Sequence, residues 1–225
     1  MAKPTIPGQV KTRLIGTLSA CEAAFIHAAM LECVLNRSSN FIGEKSDKCL
    51  VLALDMTVPC RVGEDPFGFH LPKGWQVIDQ GRGDLGQRLQ CVWQQVDEGP
   101  TVFLGADSPD VPQDSLKQIL PALERADAAI GRVMDGGYWT MATRQMVPAL
   151  VRGIDWGSER VHDQTRRAAK QAGLLIADLD PWYDVDTISD LDALRSRLDQ
   201  IFNSRSEPAL AQLSESLDQV CKGKK

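Results

Sequence analysis

Short apolar runs alternate along the chain with longer stretches whose apolar residues recur every three or four positions. Residues 19–35, SACEAAFIHAAMLECVL, open on Ser19 and carry Glu22 three positions on, a pairing that satisfies the free amides of a helix start. CLVLALD at 49–55 predicts a buried strand, followed by a Pro/Gly-rich loop over 58–74 and a second strand, WQVID, at 75–79. Asp84 can cap LGQRLQCVWQQVDE (85–98), where Leu85, Leu89, Val92 and Val96 return at helical spacing and Gly99 stands just past the end. TVFLGA (101–106) predicts a strand. From about Gln113 a helix follows, which Pro121 must kink or end.

The same alternation continues. DAAIGRV (127–133) and YWTMAT (138–143) read as strands joined through Asp135, Gly136 and Gly137. Ser158 is placed to cap ERVHDQTRRAAKQA (159–172), which stops at Gly173; LLIADL (174–179) is a strand, and Thr187 with Asp190 predicts the cap of a helix running to Phe202. Residues 206–225 read as an amphipathic helix on a polar joint, with Leu210, Leu213, Leu217 and Val220 on one face. Strands alternating with helices imply an α/β class fold, a three-layer α/β/α sandwich with a mostly parallel sheet whose ligands bind beyond the carboxyl ends of the strands. The expected division is one domain over 1–203 and a helical tail over 204–225.

Composition narrows the function classes. The chain has 225 residues, 43% hydrophobic and 24% charged, enough apolar material for a core and too much for a disordered chain. A formal net charge of −5 argues against a general nucleic-acid or anionic-membrane binder. A negatively charged substrate would then need a locally basic site. One exists: no acidic residue precedes Glu22, while Lys3, Lys11 and Arg13 do. The cysteines Cys21, Cys33, Cys49, Cys60, Cys91 and Cys221 are scattered and read as reduced, mostly buried thiols, and His27, His70 and His162 lie far apart. With no secretory h-region and no span-length apolar run, a cytoplasmic location is the expectation.

Five stretches carry candidate chemistry. PGQVKTRL (7–14) puts Gly8, Lys11, Thr12 and Arg13 on one short loop suited to phosphate: Arg offers a fork, Lys a point charge and the backbone free amides. A solvated basic turn is the alternative. QGRGDLGQRL (80–89) sets Gly83, Asp84 and Leu85 at a helix N-terminus, either a ligand-binding turn or simply a tight turn with its cap. In GADSPDVP (105–112) the strand stops on Asp107, which can supply hard oxygen to Mg²⁺ or Mn²⁺ or merely belong to a proline-stiffened turn; Asp110 reads as a turn or helix-capping residue. MDGGYW (134–139) offers Asp135, Gly136 and Gly137 beside aromatics, as ligand space or as a hairpin turn. In YDVDTISDL (183–191) Asp190 is explained by capping, while Asp186 is free to meet a cation.

Taken in order, P-G-x-V-K-T-R-L, G-D-L-G-x-R-L, G-x-D-S-P-x-x-P, D-G-G-Y-W and D-V-D-T-x-x-D-L resemble a bacterial family of GT-A-fold glycosyltransferase-like proteins related to molybdenum-cofactor and phospholactate guanylyltransferases. The resemblance implies a nucleotide-diphospho-sugar transferase fold. It implies that Lys11 and Arg13 hold nucleotide phosphates, that Asp107 and Asp186 are metal ligands, and that Gly83, Asp84 and Leu85 line the nucleoside or acceptor pocket. Asp135, Gly136 and Gly137 would then lie nearer the transferred group. Members of that family begin with a hydrophobic strand before the basic loop, whereas this chain starts at MAKPTIPG, inside it. The expected sheet therefore lacks its first strand, beside the Asp107 strand, with a hydrophobic segment expected upstream in the gene.

The resulting expectation is an Mg²⁺- or Mn²⁺-dependent transferase using a nucleotide-activated donor and a small-molecule acceptor, with Asp107, Lys11 and Arg13 as the reactive group. Glycosyl transfer from a nucleotide-sugar is the first reading and nucleotidyl transfer to a phosphorylated small molecule the alternative. A non-catalytic scaffold of the same fold is the rival, although a scaffold needs none of Lys11, Arg13, Asp107 and Asp186.

Overall fold

The computed structural model describes residues 1–41, 49–57, 67–96, 99–202 and 207–221. Helix α1 (Ala20–Phe41) begins where the Ser19/Glu22 pairing places it: Ser19 N and Oγ both donate to Glu22 Oε2 at 2.8 Å, and Glu22 N returns a bond to Ser19 Oγ. Strands β1 (Leu50–Leu54) and β2 (Trp75–Asp79) pair in parallel. The loop expected over 58–74 lies outside the described residues from 58 to 66. A second sheet holds β3 (Thr101–Leu104), β4 (Ala128–Val133), β5 (Tyr138–Thr143) and β6 (Ile176–Trp182) in the order β3-β5-β4-β6. Within it β5 pairs antiparallel to both β3 and β4, and β4 pairs parallel to β6, so β5 alone runs against the other three strands.

Met1 and Ala2 tie the two sheets together. Ala2 forms a parallel bridge to Leu54, donating to Ala53 O at 2.9 Å and accepting from Asp55 N at 3.0 Å. The Met1 amine donates to Leu104 O at 3.2 Å. These two residues thus stand between β1 and β3, where the family resemblance places a whole strand.

Alternation along the second sheet builds its two faces, because neighbouring residues of a strand point to opposite sides. Ala128, Met141 and Phe103 join a core with Leu89, Val92 and Trp93 of α2 (Leu85–Trp93) and Ala169 of α4 (Val161–Gln171). Their neighbours Ala129 and Ala142, with Trp139, face Leu116, Ile119, Ala122 and Leu123 of α3 (Gln113–Leu123). A third cluster gathers Ile26 and Met30 of α1, Leu191, Leu194 and Leu198 of α5 (Ile188–Phe202), and Leu210, Leu213 and Leu217 of α6 (Pro208–Cys221). Each fully buried leucine contributes about 1.5–3 kcal/mol of apolar burial. The amphipathic C-terminal stretch is therefore a packed core element.

Several local expectations shift. Helix α2 stops at Trp93, not at residue 98, and Val96 lies in a bend. Pro121 sits in the last turn of α3, which ends two residues later at Leu123. Ser158 does not cap α4: the N-cap is Arg160, and Ser158 Oγ instead donates to Asp155 O at 2.8 Å within the preceding turn. The Thr187/Asp190 cap forms as expected, with Asp190 Oδ2 accepting from Thr187 N and Oγ1, both at 2.7 Å. Cys21, Cys33, Cys49 and Cys91 are free thiols, but among the described cysteines only Cys33 is buried; Cys60 lies outside the described residues. No helix among the described residues is long and apolar enough to cross a membrane.

Candidate functional site

Beyond the carboxyl ends of the strands, three loops meet. The loop after β3 carries Asp107, the loop after β6 carries Asp186, and Val185 N donates to Asp107 O at 2.9 Å, locking one loop to the other. The basic N-terminal loop then reaches across both. Lys11 Nζ donates to Val185 O at 2.6 Å and to Asp186 Oδ1 at 3.2 Å, and it contacts Asp107 Oδ1 directly. Arg13 Nη1 donates to Asp186 Oδ2 at 3.0 Å while its side chain stays 69% exposed, leaving most of the guanidinium fork open to a ligand.

The opposite wall is the start of α2. Asp84 caps it with a complete box: Gln87 N donates to Asp84 Oδ1 at 2.8 Å and Asp84 N to Gln87 Oε1 at 2.9 Å. Arg88 braces this turn, donating from Nε to Gly83 O at 3.0 Å and from Nη1 to Asp55 Oδ2 at 2.8 Å. Burial would raise the Asp55 pKa, but hydrogen bonds from Thr57 and Arg88 outweigh it and hold the carboxyl below its ordinary range. Trp156 and Gly157 close this side.

Between the walls lies a cavity of about 690 Å³. It brings together Lys11, Thr12 and Arg13, then Gly83, Asp84 and Leu85, then Asp107 and Asp186. Gly8, Asp135, Gly136 and Gly137 do not line it. Gly136 has φ +96°, and a side-chain carbon there would stand 2.6 Å from the Glu159 Cα. Asp135 Oδ1 accepts from Gly137 N at 3.0 Å within the turn. Asp110 lies in the turn before α3, as expected, but does not cap the helix, whose N-cap is Pro112. Its carboxylate is paired with Arg197, out of reach of solvent.

The cavity is also lined by Lys3 of the basic N-terminal segment, by Gln80 and Ala106 at the edges of two candidate stretches, and by His27, which no motif marks. His27 Nε2 lies 3.1 Å from Lys3 O and must carry the proton there, because a carbonyl only accepts; Nδ1 is buried without a partner. Burial pushes the imidazole below the usual histidine range, against the opposite pull of Asp107. Gln80 Nε2 donates to Ala2 O at 3.1 Å. These side chains come from different elements and converge only through folding.

The donor chemistry fits a hard dication in part. Asp107 and Asp186 place two carboxylates around one point, and a magnesium-like ion needs only one or two such ligands when substrate phosphates complete its shell. Among the described residues no group of three or more His, Cys, Asp or Glu converges as a metal cage. The point between the two carboxylates is held by the Lys11 ammonium. Nearby, the half-buried Asp184 carboxyl is pushed up to about 6 by burial and by the charges of Asp135, Asp186 and Asp107.

The fold has a counterpart of known structure. A crystal structure from Desulfovibrio desulfuricans G20, described as a "putative nucleotide-diphospho-sugar transferase", superposes with a TM-score of 0.76 at 27% identity, covering 97% of this chain and 94% of that one. The mixed α/β architecture of this chain is therefore similar to that of the Desulfovibrio protein. No curated protein matches the chain. A family model of bacterial proteins, "uncharacterized protein conserved in bacteria (DUF2064)", matches residues 44–158. That span runs from β1 through β2, the capped α2 wall, Asp107 and the β4–β5 hairpin, and the chain belongs to this family.

Proposed function

We propose that the protein is a metal-dependent transferase that moves a glycosyl group from a nucleotide-diphospho-sugar to a small-molecule acceptor. The observation that carries this reading is the convergence of Lys11, Arg13, Asp107 and Asp186 on one side of a cavity whose other side is the capped Gly83–Asp84–Leu85 turn. A diphosphate needs cations and donors; a nucleoside or acceptor needs a shaped wall.

In such a reaction the bond between the anomeric carbon and the terminal phosphate oxygen breaks, and the nucleoside diphosphate leaves with the electron pair. The acceptor oxygen bonds to the carbon and gives up its proton. Asp107 and Asp186 would hold Mg²⁺ or Mn²⁺, which would supply neutralisation of the charge that grows on the leaving diphosphate. Arg13 adds a planar fork for phosphate oxygens, and the Thr12 hydroxyl and loop amides add neutral donors. Arg88, through Gly83 O and Asp55, keeps the facing turn at a fixed distance, so that donor and acceptor are oriented before the bond breaks.

A thermal-shift panel of nucleoside diphosphates, nucleoside triphosphates and nucleotide-sugars, with and without Mn²⁺, tests the reading. The largest shift should come from one nucleotide-sugar or its diphosphate with Mn²⁺ present. Turnover with that donor should then release nucleoside diphosphate. Release of pyrophosphate from a nucleoside triphosphate would instead assign nucleotidyl transfer, and no shift with any nucleotide would leave a binding scaffold.

A further inference from the structure

Lys11 Nζ is held from three sides. It donates to Val185 O and Asp186 Oδ1 and forms an ion pair with Asp107 Oδ1, and the side chain is only 4% exposed, whereas Asp107 and Asp186 remain 48% and 36% exposed. The backbone is bent to deliver this ammonium: Lys11 has φ 46°, the single positive-φ residue other than glycine among the described residues. A lysine adopts that conformation only when its surroundings enforce it. A solvated phosphate-binding lysine would need neither the burial nor the strain. Charge completes the arrangement, since Lys11 and Arg13 together balance Asp107 and Asp186.

For a free aqua dication this is a poor site. It would have to shed tightly held water, gain two carboxylates, and leave a buried ammonium without its acceptors. A dication carried on a diphosphate meets a different balance, because the same ligand brings anionic oxygens to which Lys11 Nζ can transfer its bonds.

We infer that Lys11 is a resident counter-cation that closes the Asp107–Asp186 pair to free divalent cations and yields it to a cation arriving on a diphosphate. This rests on the proposed function for the identity of the two carboxylates as the cation's ligands. It adds an order to binding: the metal enters with the diphosphate, and metal concentration alone does not load the site.

The test measures Mn²⁺ retained by the full chain in equilibrium dialysis, with Mn²⁺ alone and with Mn²⁺ plus inorganic pyrophosphate. Wild type is compared with Lys11→Met, Lys11→Gln and Lys11→Met/Asp107→Asn, each checked for a cooperative melt. Lys11→Met should bind Mn²⁺ alone at least about tenfold more tightly than wild type, the scale of removing one competing charge from the pair. The double variant should lose that gain, and wild type should retain Mn²⁺ only when pyrophosphate is present. Lys11→Gln, which keeps a donor for Val185 O, carries the comparison if the methionine variant does not fold. Equal affinity of wild type and Lys11 variants for Mn²⁺ alone overturns the inference, and the proposed function survives that result if wild type still binds Mn²⁺ with pyrophosphate. Failure of wild type to retain Mn²⁺ under either condition, while the variants bind it, makes Lys11 a permanent occupant and removes the metal from the proposed function as well.

Discussion

The Asp110 carboxylate accepts from Arg197 at Nε, 2.5 Å away, and at Nη2, 3.4 Å away, while Trp182 Nε1 donates to it at 3.1 Å. The Arg197 guanidinium in turn lies over the rings of Trp182 and Tyr183. On the same loop, Pro109 O accepts from Arg37 Nη1 at 2.7 Å, and Arg37 Nε reaches Glu207 at the start of α6. The turn after β3 is thus fastened by two arginines on its inner side, and Asp107 is left facing the cavity.

This pairing makes Asp110 a stability position. Asp110→Asn leaves Arg197 with an uncompensated charge beside two aromatic rings, and should cost about 2–4 kcal/mol in urea unfolding. Nucleotide affinity, measured where the variant is still folded, should be unchanged. Full stability combined with lost ligand binding would move Asp110 into the site.

Arg13→Ala should do the reverse. The side chain is largely exposed and makes one bond to Asp186, so the melting temperature should hardly move. Affinity for the best nucleotide, by calorimetry, should fall by about 1.5–3 kcal/mol, the scale of a charge-assisted hydrogen bond to phosphate. Equal affinity of variant and wild type would return the loop to a solvated turn.

Asp107→Asn removes the charge a hard dication requires while keeping the shape. Turnover should fall by about 10²-fold or more, and stabilisation by nucleotide should no longer depend on Mn²⁺. Because Lys11 loses a charged acceptor, the unliganded melting temperature should also drop, by an amount equivalent to about 1 kcal/mol. Normal Mn²⁺-dependent binding in this variant would remove Asp107 from the metal assignment.

Two glycine substitutions separate packing from ligand space. Gly136→Ala forces a carbon against the Glu159 backbone at a positive φ and should cost about 2–4 kcal/mol. Gly8→Ala, also at positive φ but with open space around it, should cost about 1 kcal/mol. Urea midpoints of the two variants give the comparison, and equal losses would refute the close approach at Gly136.

The pH dependence of Asp184 has a definite sign. A carboxyl whose folded pKa is raised to about 6 takes up a proton on folding between that value and its unfolded value of 3.8, so its unfavourable contribution at neutral pH declines as pH falls from 6 to 3.8. His27, pushed down by burial, works in the opposite direction, so wild type alone does not isolate the effect. Asp184→Asn should be at least as stable as wild type at pH 7, by less than about 1 kcal/mol because solvent screens a half-buried group. The advantage should shrink as pH falls below 6 and vanish only at about pH 4, where both states carry the proton. A constant difference from pH 7 to pH 5 would show that Asp184 is not the titrating group.

Local chemistry along the chain is enough to specify most of the elements. Ser19 with Glu22, Asp84 with Gln87 and Thr187 with Asp190 each close a helix start within four residues, so their cues survive without any tertiary context. The apolar runs ending at Leu54 and Leu104 likewise announce strands, and Asp107 and Asp186 are visible as carboxylates just beyond strand ends. Tertiary packing fixes what those cues leave open. The point between Asp107 and Asp186 is filled by an ammonium from the N-terminal loop, 175 positions before Asp186, and the cavity is also lined by His27, which sits in no recognisable spacing. Asp110 and Asp107 look alike in D-S-P-D; only Arg197, 87 positions later, turns one into a buried ion pair while the other faces the cavity. Asp135-Gly136-Gly137 reads equally as ligand space or as a turn, and only the fold shows that the Glu159 backbone crowds Gly136. Short-range hydrogen bonds and periodicity are written in neighbouring residues; burial, charge pairing and close approach depend on partners that only the folded chain brings within a few ångströms.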